Sequence, residues 1–237
     1  ILVNSKHSVE KFIVASSMSI YGEGAYRCKK CDIVYPGLRA ESQLKKKQWE
    51  MTCPHCQAVI ERIPTPEEKP TNPTSVYSLS KRFQEDICLQ IGKAYNIPTV
   101  AFRYFNAFGP RQSLSNPYTG VAAIFLSRVK NNNPPIVYED GGQSRDFIYV
   151  SDIARANILA MNDARADYEV FNLGTGIPQT ILGIANTIIA LSGKQRKVAP
   201  EVLAHYRTGD IRHCYADTKK KKKKLGFKPA ISFIDGM

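Results

Sequence analysis

The sequence predicts an α/β fold in which buried parallel strands alternate with helices. Two short apolar runs, residues 11–16 and 97–103, have the composition of such strands. Between them, Thr74 or Ser75 can cap a helix that runs toward Tyr95. Apolar side chains recur at helical spacing along this helix and are expected to form its buried stripe: Phe83, Ile87, Ile91 and Ala94.

Length and composition are those of a globular protein. The chain has 237 residues, of which 43% are hydrophobic, enough for one large domain or two small ones. It contains no apolar run of the ~18 residues that a membrane helix needs, and its first residues lack the order of a signal peptide. These features predict a cytoplasmic protein. Because the sequence starts at Ile1 and stops at Met237 without a recognisable ending, we expect it to be a piece of a longer protein.

The basic charge is concentrated in one segment. The formal net charge is +12, and six consecutive lysines at residues 219–224 account for half of it. Such a run is most often a solvated surface or a low-complexity segment, and less often a phosphate-binding patch. No aromatic residues are interleaved with the lysines to provide a stacking surface. Nucleic acid is therefore not the expected partner.

Tyr77 and Lys81 are candidates for acid/base chemistry because they lie four residues apart on the predicted helix. A nearby ammonium favours the phenolate and lowers a tyrosine pKa from about 10 toward neutral pH. The alternative is a partly buried ring beside a solvated charge. Ser16, Ser17 and Ser19 follow the first predicted strand, at the sheet edge where α/β folds bind ligands, although an ordinary polar loop would have the same composition.

Two CxxC motifs predict a metal site. Cys28 and Cys31 form the first motif and Cys53 and Cys56 the second, with 21 residues between them. This separation is close to that of zinc ribbons, in which four thiolates bind a structural Zn²⁺. The alternatives are two disulfides, which a reducing compartment disfavours, or redox sites, for which the βαβ context is missing. Four sulfur ligands would leave the metal no open position, so His55 is not needed as a ligand.

Several short motifs occur in the order found in one enzyme family. They are Ala-Ser-Ser at residues 15–17 followed by Tyr21-Gly22, Tyr77-x-x-x-Lys81, Arg103-Tyr-Phe-Asn106 with Gly109-Pro-Arg111, and residues 138–141, 145–152, 171–176 and 207–210. In this arrangement the chain resembles the extended short-chain dehydrogenase/reductase family of nucleotide-sugar epimerases and dehydratases. Within that family, the cysteine-bearing segment and residues 116–125 are similar to those of the dTDP-L-rhamnose 4-epimerases.

The resemblance implies a Rossmann-type doubly wound parallel sheet that lacks its first strands. Residues 1–115 would be the C-terminal half of the NAD-binding domain, interrupted by a zinc-ribbon-like insertion at 24–62, and residues 116–237 would mainly bind the nucleotide sugar. No glycine precedes Gly22, so the glycine-rich NAD fingerprint is missing. We therefore expect this piece to be inactive alone. A homodimer is expected for the full-length protein but not for this piece.

The resemblance also implies how the reaction proceeds. Tyr77 would remove the proton from the sugar 4-hydroxyl while C4 passes a hydride to NAD⁺, and the resulting 4-keto sugar would take the hydride back on its other face. Lys81 would lower the pKa of the phenol and hold the nicotinamide ribose, and Ser17 would hydrogen-bond the C4 oxygen. Ser16 and Tyr104 would contact the cofactor together with Tyr77 and Lys81.

Four further residues would bind the substrate if the resemblance holds. Asn106 would contact the substrate near its glycosyl phosphate, and Asp210 would bind the nucleoside ribose. Arg145 and Arg207 would bind the diphosphate, since a guanidinium offers several fixed donors to phosphate oxygens. Taken singly, Arg145 beside Asp146 can be a local ion pair, and Arg207 with Asp210 can be an ordinary turn.

The motifs favour epimerisation over the other reactions of the family. Met18 and Ser19 stand where dehydratases and decarboxylases need a carboxylic acid, and neither can perform that proton transfer. The favoured substrate is dTDP-L-rhamnose or a related 6-deoxy sugar, with UDP-glucose or UDP-N-acetylglucosamine as the alternative. Alternatives of another class are a nucleic-acid-binding zinc-ribbon protein and a non-catalytic relative.

Overall fold

A computed structural model describes residues 7–113 and 120–237 of the chain. The predicted domain boundary after residue 115 and the first part of the motif at 116–125 lie outside the described residues, so that boundary stays a prediction. Among the described residues, no helix is both long and apolar enough to span a membrane.

Short strands and helices follow one another along the described ranges. In chain order the strands are β1 (Phe12–Ser17), β2 (Ala25–Cys28), β3 (Asp32–Val34), β4 (Glu61–Ile63), β5 (Thr99–Tyr104), β6 (Asn106–Phe108), β7 (Ile136–Val137), β8 (Ser144–Tyr149), β9 (Val170–Leu173), β10 (Pro178–Thr180), β11 (Glu201–Val202) and β12 (His213–Cys214). The α-helices are α1 (Glu41–Lys45), α2 (Val76–Ala94), α3 (Val121–Lys130), α4 (Val150–Met161), α5 (Ile181–Leu191), α6 (Lys219–Leu225) and α7 (Phe233–Gly236). Two 3₁₀ helices, Met18–Tyr21 and Ala164–Ala166, complete the set.

The central sheet is parallel and has the strand order β1-β5-β9. Its pairing places Phe12 opposite Thr99 at one end of β1 and Ser17 opposite Tyr104 at the other. The carboxyl ends of β1 and β5 therefore lie side by side. This arrangement confirms the predicted α/β fold with parallel strands.

Helix α2 and the apolar core around α4 lie on opposite faces of this sheet. Phe102 of β5 packs into the core that includes α4, whereas the next residue, Arg103, points to the other face because side chains alternate along a strand. There Arg103 meets Glu85 of α2. Further along, Gly92 of α2 approaches Thr99 so closely that a Cβ atom would lie 2.1 Å from the threonine Oγ1, and the contact therefore requires glycine.

Helix α2 begins where the sequence predicts. The Ser75 hydroxyl accepts the backbone N–H of Ser78 at 3.1 Å, and the Ser78 hydroxyl accepts the backbone N–H of Ser75 at 2.9 Å. This reciprocal cap satisfies two amides that the first helical turn leaves unpaired. The helix ends at Ala94, one residue before Tyr95.

The predicted buried stripe of α2 is wrong. The four residues assigned to it are exposed, with Phe83 at 59% and Ile87 at 56%, and so are Ile91 and Ala94. The helix instead turns a polar face to the sheet: Glu85 pairs with Arg103 at 2.6 Å and accepts the Ser16 hydroxyl at 2.6 Å, all three residues being buried. The reason is that a buried guanidinium requires a carboxylate partner, and α2 supplies it.

A second sheet follows the central one. Its order is β10-β8-β12, and β6 pairs in parallel with residues 147–149 at the carboxyl end of β8. Helices α3 and α5 bury their apolar sides against this region, in a core that includes Phe125, Phe147, Ile184 and Ile188.

Strands β2, β3 and β4 form a separate antiparallel sheet, in the order β3-β2-β4. It spans the segment between β1 and α2 that carries the four CxxC cysteines. The segment has a small apolar core of its own, formed by Tyr26, Val34, Met51 and Ile60 around the cysteines. The zinc ribbon at this segment stays a prediction.

The lysine run forms helix α6, and part of it is integrated into the fold. Lys221 is 1% exposed and donates to the carbonyl oxygen of Gly174 at 2.6 Å. Burial lowers the pKa of this lysine to about 8. Lys220 lies 2.9 Å from Glu169, which also pairs with Lys224. The expectation of a solvated run is therefore wrong for Lys221, because the α6 helix packs beside β9.

Replacing Glu85 by glutamine is expected to lower the free energy of unfolding by about 3–5 kcal/mol, because it leaves the buried Arg103 guanidinium without a countercharge. Urea denaturation followed by circular dichroism measures this loss. The matched control is Glu41→Gln, which removes the solvent-exposed partner of Lys45 and should leave the unfolding curve unchanged. Equal destabilisation by the two substitutions would contradict a special role for the buried pair.

Candidate functional site

The Tyr77–Lys81 pair lies in the first turns of α2, at the carboxyl end of β1. The Lys81 ammonium donates to the backbone carbonyl of Ala15 at 2.9 Å and to the Gln84 Oε1 at 3.2 Å. Its Nζ atom lies 6.0 Å from the centre of the Tyr77 ring. Tyr77 is 51% exposed, so its phenol is accessible to a ligand.

Ser17 caps the 3₁₀ helix that follows β1. Its Oγ atom accepts the backbone N–H of Ser19 at 3.2 Å and the Ser19 hydroxyl at 2.9 Å. A hydroxyl oxygen has two lone pairs and one proton. Because both lone pairs of Ser17 accept, its O–H remains as a donor toward an oxygen of a bound molecule.

A buried hydrogen-bond network supports this edge of the sheet, and sequence reasoning missed it. Arg103 donates to the Tyr21 hydroxyl at 2.7 Å, which in turn donates to the Asn172 Oδ1 at 2.7 Å. Burial raises the pKa of Tyr21 far above its ordinary value, against the opposing effect of Arg103. The available signal was the arginine itself, since a charged residue in a buried strand requires a buried partner.

The two further residues predicted to contact a cofactor make other contacts. The Ser16 hydroxyl donates to Glu85 and is buried. Any ligand contact of Ser16 is therefore left to its backbone. The Tyr104 hydroxyl donates to the Asn157 Oδ1 at 3.0 Å, and burial raises the pKa of Tyr104.

Four of the five residues predicted to bind substrate share one cavity, and Ser17, the fifth, does not line it. Asn106, Arg145, Arg207 and Asp210 line a space of about 340 Å³, which we call the polar cavity. They come from β6, β8 and the loop before β12. Arg145 Nη2 lies 2.9 Å from the Asp210 Oδ1, and the Arg207 guanidinium stacks over the Tyr138 ring at 4.4 Å. The cavity is lined by three guanidinium groups, those of Arg128, Arg145 and Arg207, and this positive charge suits an anionic ligand.

The structure also tests the two alternative interpretations from the sequence, a local ion pair between Arg145 and Asp146 and an ordinary turn from Arg207 to Asp210. Asp146 accepts the backbone N–H groups of Thr175 and Gly176 at 2.7 and 2.8 Å, so a local Arg145–Asp146 ion pair is the wrong interpretation. Asp210 donates its N–H to the carbonyl of Arg207 at 3.2 Å. These two residues therefore do form a turn, and the turn carries both side chains to the polar cavity.

Two buried acceptors of the polar cavity have no hydrogen-bond partner among the described residues. They are the Asn106 Oδ1 and the Gln143 Oε1. A buried carbonyl oxygen without a partner costs free energy, so these atoms are suited to accept donors from a ligand. Sequence reasoning missed Tyr138 and Gln143 as lining residues. Tyr138 is the first residue of the motif at 138–141, and Gln143 lies two residues before the motif at 145–152.

The four CxxC cysteines converge. Their Sγ atoms lie within 4.8 Å of one another, and those of Cys28 and Cys56 are 3.5 Å apart. A tetrahedral zinc site with Zn–S distances of about 2.3 Å separates its sulfur atoms by about 3.8 Å, so the cluster fits this ion. The backbone N–H of Lys30 is the main cause that lowers the pKa of Cys28 to about 7, whereas burial is the main cause that raises the pKa of its neighbour Cys31 to about 12.

Comparison with known proteins places the chain in a family. Residues 52–174 match the model of the NAD dependent epimerase/dehydratase family. The dTDP-L-rhamnose 4-epimerase of Burkholderia thailandensis is 34% identical over 97% of this chain and 61% of that protein. A putative UDP-glucose 4-epimerase of Methanocaldococcus jannaschii is 34% identical over 74% of this chain and 55% of that protein.

The fold agrees with these relatives. The crystal structure of UDP-glucose 4-epimerase with UDP-glucose from Thermotoga maritima superposes with a TM-score of 0.73 at 30% identity, covering 97% of this chain and 61% of that one. The chain thus spans about 60% of the length of these relatives. The sheet order, the sequence identity and the family match lead to one conclusion: the chain belongs to the NAD dependent epimerase/dehydratase family.

Proposed function

We propose that this chain supplies the catalytic pair and the substrate site of an NAD-dependent nucleotide-sugar 4-epimerase. The observation that carries the proposal is the polar cavity, where Asn106, Arg145 and the Arg207–Asp210 turn meet although these three segments are far apart in sequence. Its three arginines suit a diphosphate, and its unpaired buried acceptors suit donor groups of a nucleotide or sugar. Relatives named for 4-epimerisation of nucleotide sugars support the same reaction.

In the proposed mechanism, Tyr77 accepts the proton of the sugar 4-hydroxyl and later returns it. Lys81, held by the Ala15 carbonyl, stabilises the phenolate by its charge and contacts the nicotinamide ribose. Ser17 donates its remaining O–H to the C4 oxygen and fixes it beside the phenol. NAD, when bound, supplies the acceptor and donor of the C4 hydride, and we assign its contacts to Tyr77, Lys81, Tyr104 and the backbone of Ser16.

We propose dTDP-L-rhamnose or a related 6-deoxy sugar as the substrate. The relative with 34% identity over nearly the whole chain is named for that sugar, and it supports this choice. UDP-glucose and UDP-N-acetylglucosamine are the alternative, and the relatives from M. jannaschii and T. maritima, both named for UDP-glucose, support the first of these. Incubating the complete protein with NAD and each nucleotide sugar, followed by chromatography of the products, separates these possibilities.

Tyr77→Phe is expected to lower the rate of epimerisation about 10²–10⁴-fold, because the substitution removes the proton acceptor and keeps the ring. The measurement is product formation from dTDP-L-rhamnose by the complete protein with NAD. Tyr95→Phe at the end of α2 is the matched control, since this tyrosine is equally exposed and lies outside the proposed site. Unchanged turnover in Tyr77→Phe would refute the role of Tyr77 as proton acceptor, whereas absence of turnover in the unsubstituted protein would favour a non-catalytic relative.

A nucleic-acid-binding zinc-ribbon protein is the alternative of another class. It depends on the lysine run, but Lys221 is buried and Lys220 and Lys224 pair with Glu169. Few of these charges are then available to neutralise phosphates, which weakens this alternative.

We further propose that Cys28, Cys31, Cys53 and Cys56 bind a structural Zn²⁺ that stabilises the sheet β3-β2-β4. Cys53→Ser is expected to lower the zinc content and to unfold this segment, because the small apolar core does not suffice to hold it. Zinc per chain from elemental analysis and amide hydrogen exchange of residues 24–62 test this. Cys88→Ser, on α2 and outside the cluster, is the control, and full zinc content in Cys53→Ser would contradict the proposed ligand set.

The proposed domain division assigns residues 1–115 to the cofactor side, with the insertion at 24–62, and 116–237 mainly to the nucleotide sugar. Three of the four proposed substrate residues support this division by lying beyond residue 116. We also propose that the complete protein is a homodimer that covers the exposed apolar face of α2, which includes Phe83 and Ile87.

Phe83→Glu is expected to convert a dimer of the complete protein to a monomer, because the substitution would bury a carboxylate between two α2 helices. Sedimentation velocity measures the change. Ile158→Glu on α4, a residue as exposed as Phe83, is the control. A dimer that persists in Phe83→Glu would locate the contact elsewhere.

A further inference from the structure

A cluster of four charged residues, three of them buried, joins the cysteine-bearing segment to the wall of the polar cavity. We call Arg39, Glu50, Glu139 and Arg212 the bridging cluster. Arg39 binds both carboxylate oxygens of Glu139, at 2.7 and 2.8 Å, and Arg212 reaches the same carboxylate at 3.1 Å. Arg212 also pairs with Glu50. Arg39 and Glu50 belong to the insertion, whereas Glu139 and Arg212 belong to the segments that flank the cavity.

The backbone at Glu139 indicates that its carboxylate is needed. This residue has a φ of 56°, in the left-handed region that favours glycine. Its N–H donates to the carbonyl of His205 at 2.7 Å, which ties two cavity loops together. Glycine would relieve the strained backbone there, but it would leave Arg39 without a countercharge in the interior.

The bridging cluster contacts the cavity lining directly. Glu139 follows Tyr138, whose ring lies under the Arg207 guanidinium. Arg39 Nη2 donates to the carbonyl oxygen of Asp210 at 3.2 Å, and the Asp210 carboxylate pairs with Arg145. One guanidinium of the insertion therefore touches both loops that supply the cavity.

We propose that the insertion is a positioning element of the nucleotide site, with Arg39 holding Tyr138 and Asp210 at the spacing that a nucleoside diphosphate requires. The inference rests on the proposed function of the polar cavity. The planar fork of Arg39 fixes two acceptors on separate loops at once, which a lysine or an apolar side chain cannot do. Arg39 acts here through Glu139 and Asp210, and it does not itself line the cavity.

The test is titration of the chain with dTDP and with UDP by calorimetry. Arg39→Lys and Arg39→Met are both expected to weaken binding of at least one of the two by about tenfold or more, because the two loops lose their common partner. Arg27→Met is the matched control, since Arg27 lies in the same insertion and its side chain is 62% exposed. Its Nε atom lies 3.9 Å from the Asp32 Oδ1, a long and weak contact. In the complete protein, Arg39→Lys should raise KM for the nucleotide sugar and leave kcat within about twofold.

A second variant separates positioning from folding. Arg39→Met leaves Glu139 with Arg212 alone, whereas the double variant Arg39→Met/Glu139→Gly removes both buried charges and relaxes the backbone at residue 139. The double variant should melt at a higher temperature than Arg39→Met and still bind dTDP as weakly, since stability returns but the link does not.

The outcomes distinguish this inference from the proposed function. Native nucleotide affinity in Arg39→Lys and in the double variant, together with loss of binding in Arg145→Met, would overturn the positioning role and leave the function of the cavity intact. Native affinity in Arg145→Met would overturn the proposed cavity function and the inference with it. Weakened binding in all Arg39 variants, with Arg27→Met unaffected, supports both.

Discussion

Arg103 lies in the buried strand β5, and its guanidinium requires a carboxylate, which α2 supplies. Glu85 meets that need and also accepts the hydroxyl of Ser16. Tyr77, Lys81 and Glu85 follow one another at intervals of four residues and therefore lie along one side of the helix. Because Ser16 precedes Ser17 on β1, a single carboxylate sets the position of the Tyr77–Lys81 pair relative to Ser17. The geometry of the proposed catalytic groups thus depends on one buried ion pair.

The same ion pair explains why sequence periodicity was misleading for α2. The spacing of Phe83, Ile87 and Ile91 correctly indicates a helix with one apolar side, and the cap at Ser75 is predicted correctly. Periodicity shows which residues share a face, but it does not show which face is turned inward. That choice depends on Arg103, whose partner cannot be recognised from local sequence. Because the polar face of α2 is turned to the sheet, its apolar face is exposed and can be covered by another protein surface.

The residues of the candidate site that lie in short sequence motifs could be predicted from the sequence. Asn106, Arg145, Arg207 and Asp210 each lie in a motif, and the structure brings them to one cavity. Contacts between residues distant in sequence could not be predicted in this way. Arg39 and Glu139 are 100 positions apart, and neither belongs to a pattern that indicates its partner. Only the fold shows that the carboxylate at this left-handed position is the partner of Arg39.

The insertion is built into the site because both of its ends are fixed to one neighbouring segment. The Gly24 N–H donates to the carbonyl of His213 at 2.9 Å, and the Thr65 N–H donates to the carbonyl of Tyr215 at 2.8 Å. Ends held this close make the intervening segment a closed loop, whose length costs little conformational entropy. Just before it, Glu23 accepts the N–H groups of Arg212 and His213, both at 2.7 Å. The turn after Ser17, the insertion and the cavity loop therefore converge on strand β12, so a displacement of the insertion would be transmitted to both halves of the site.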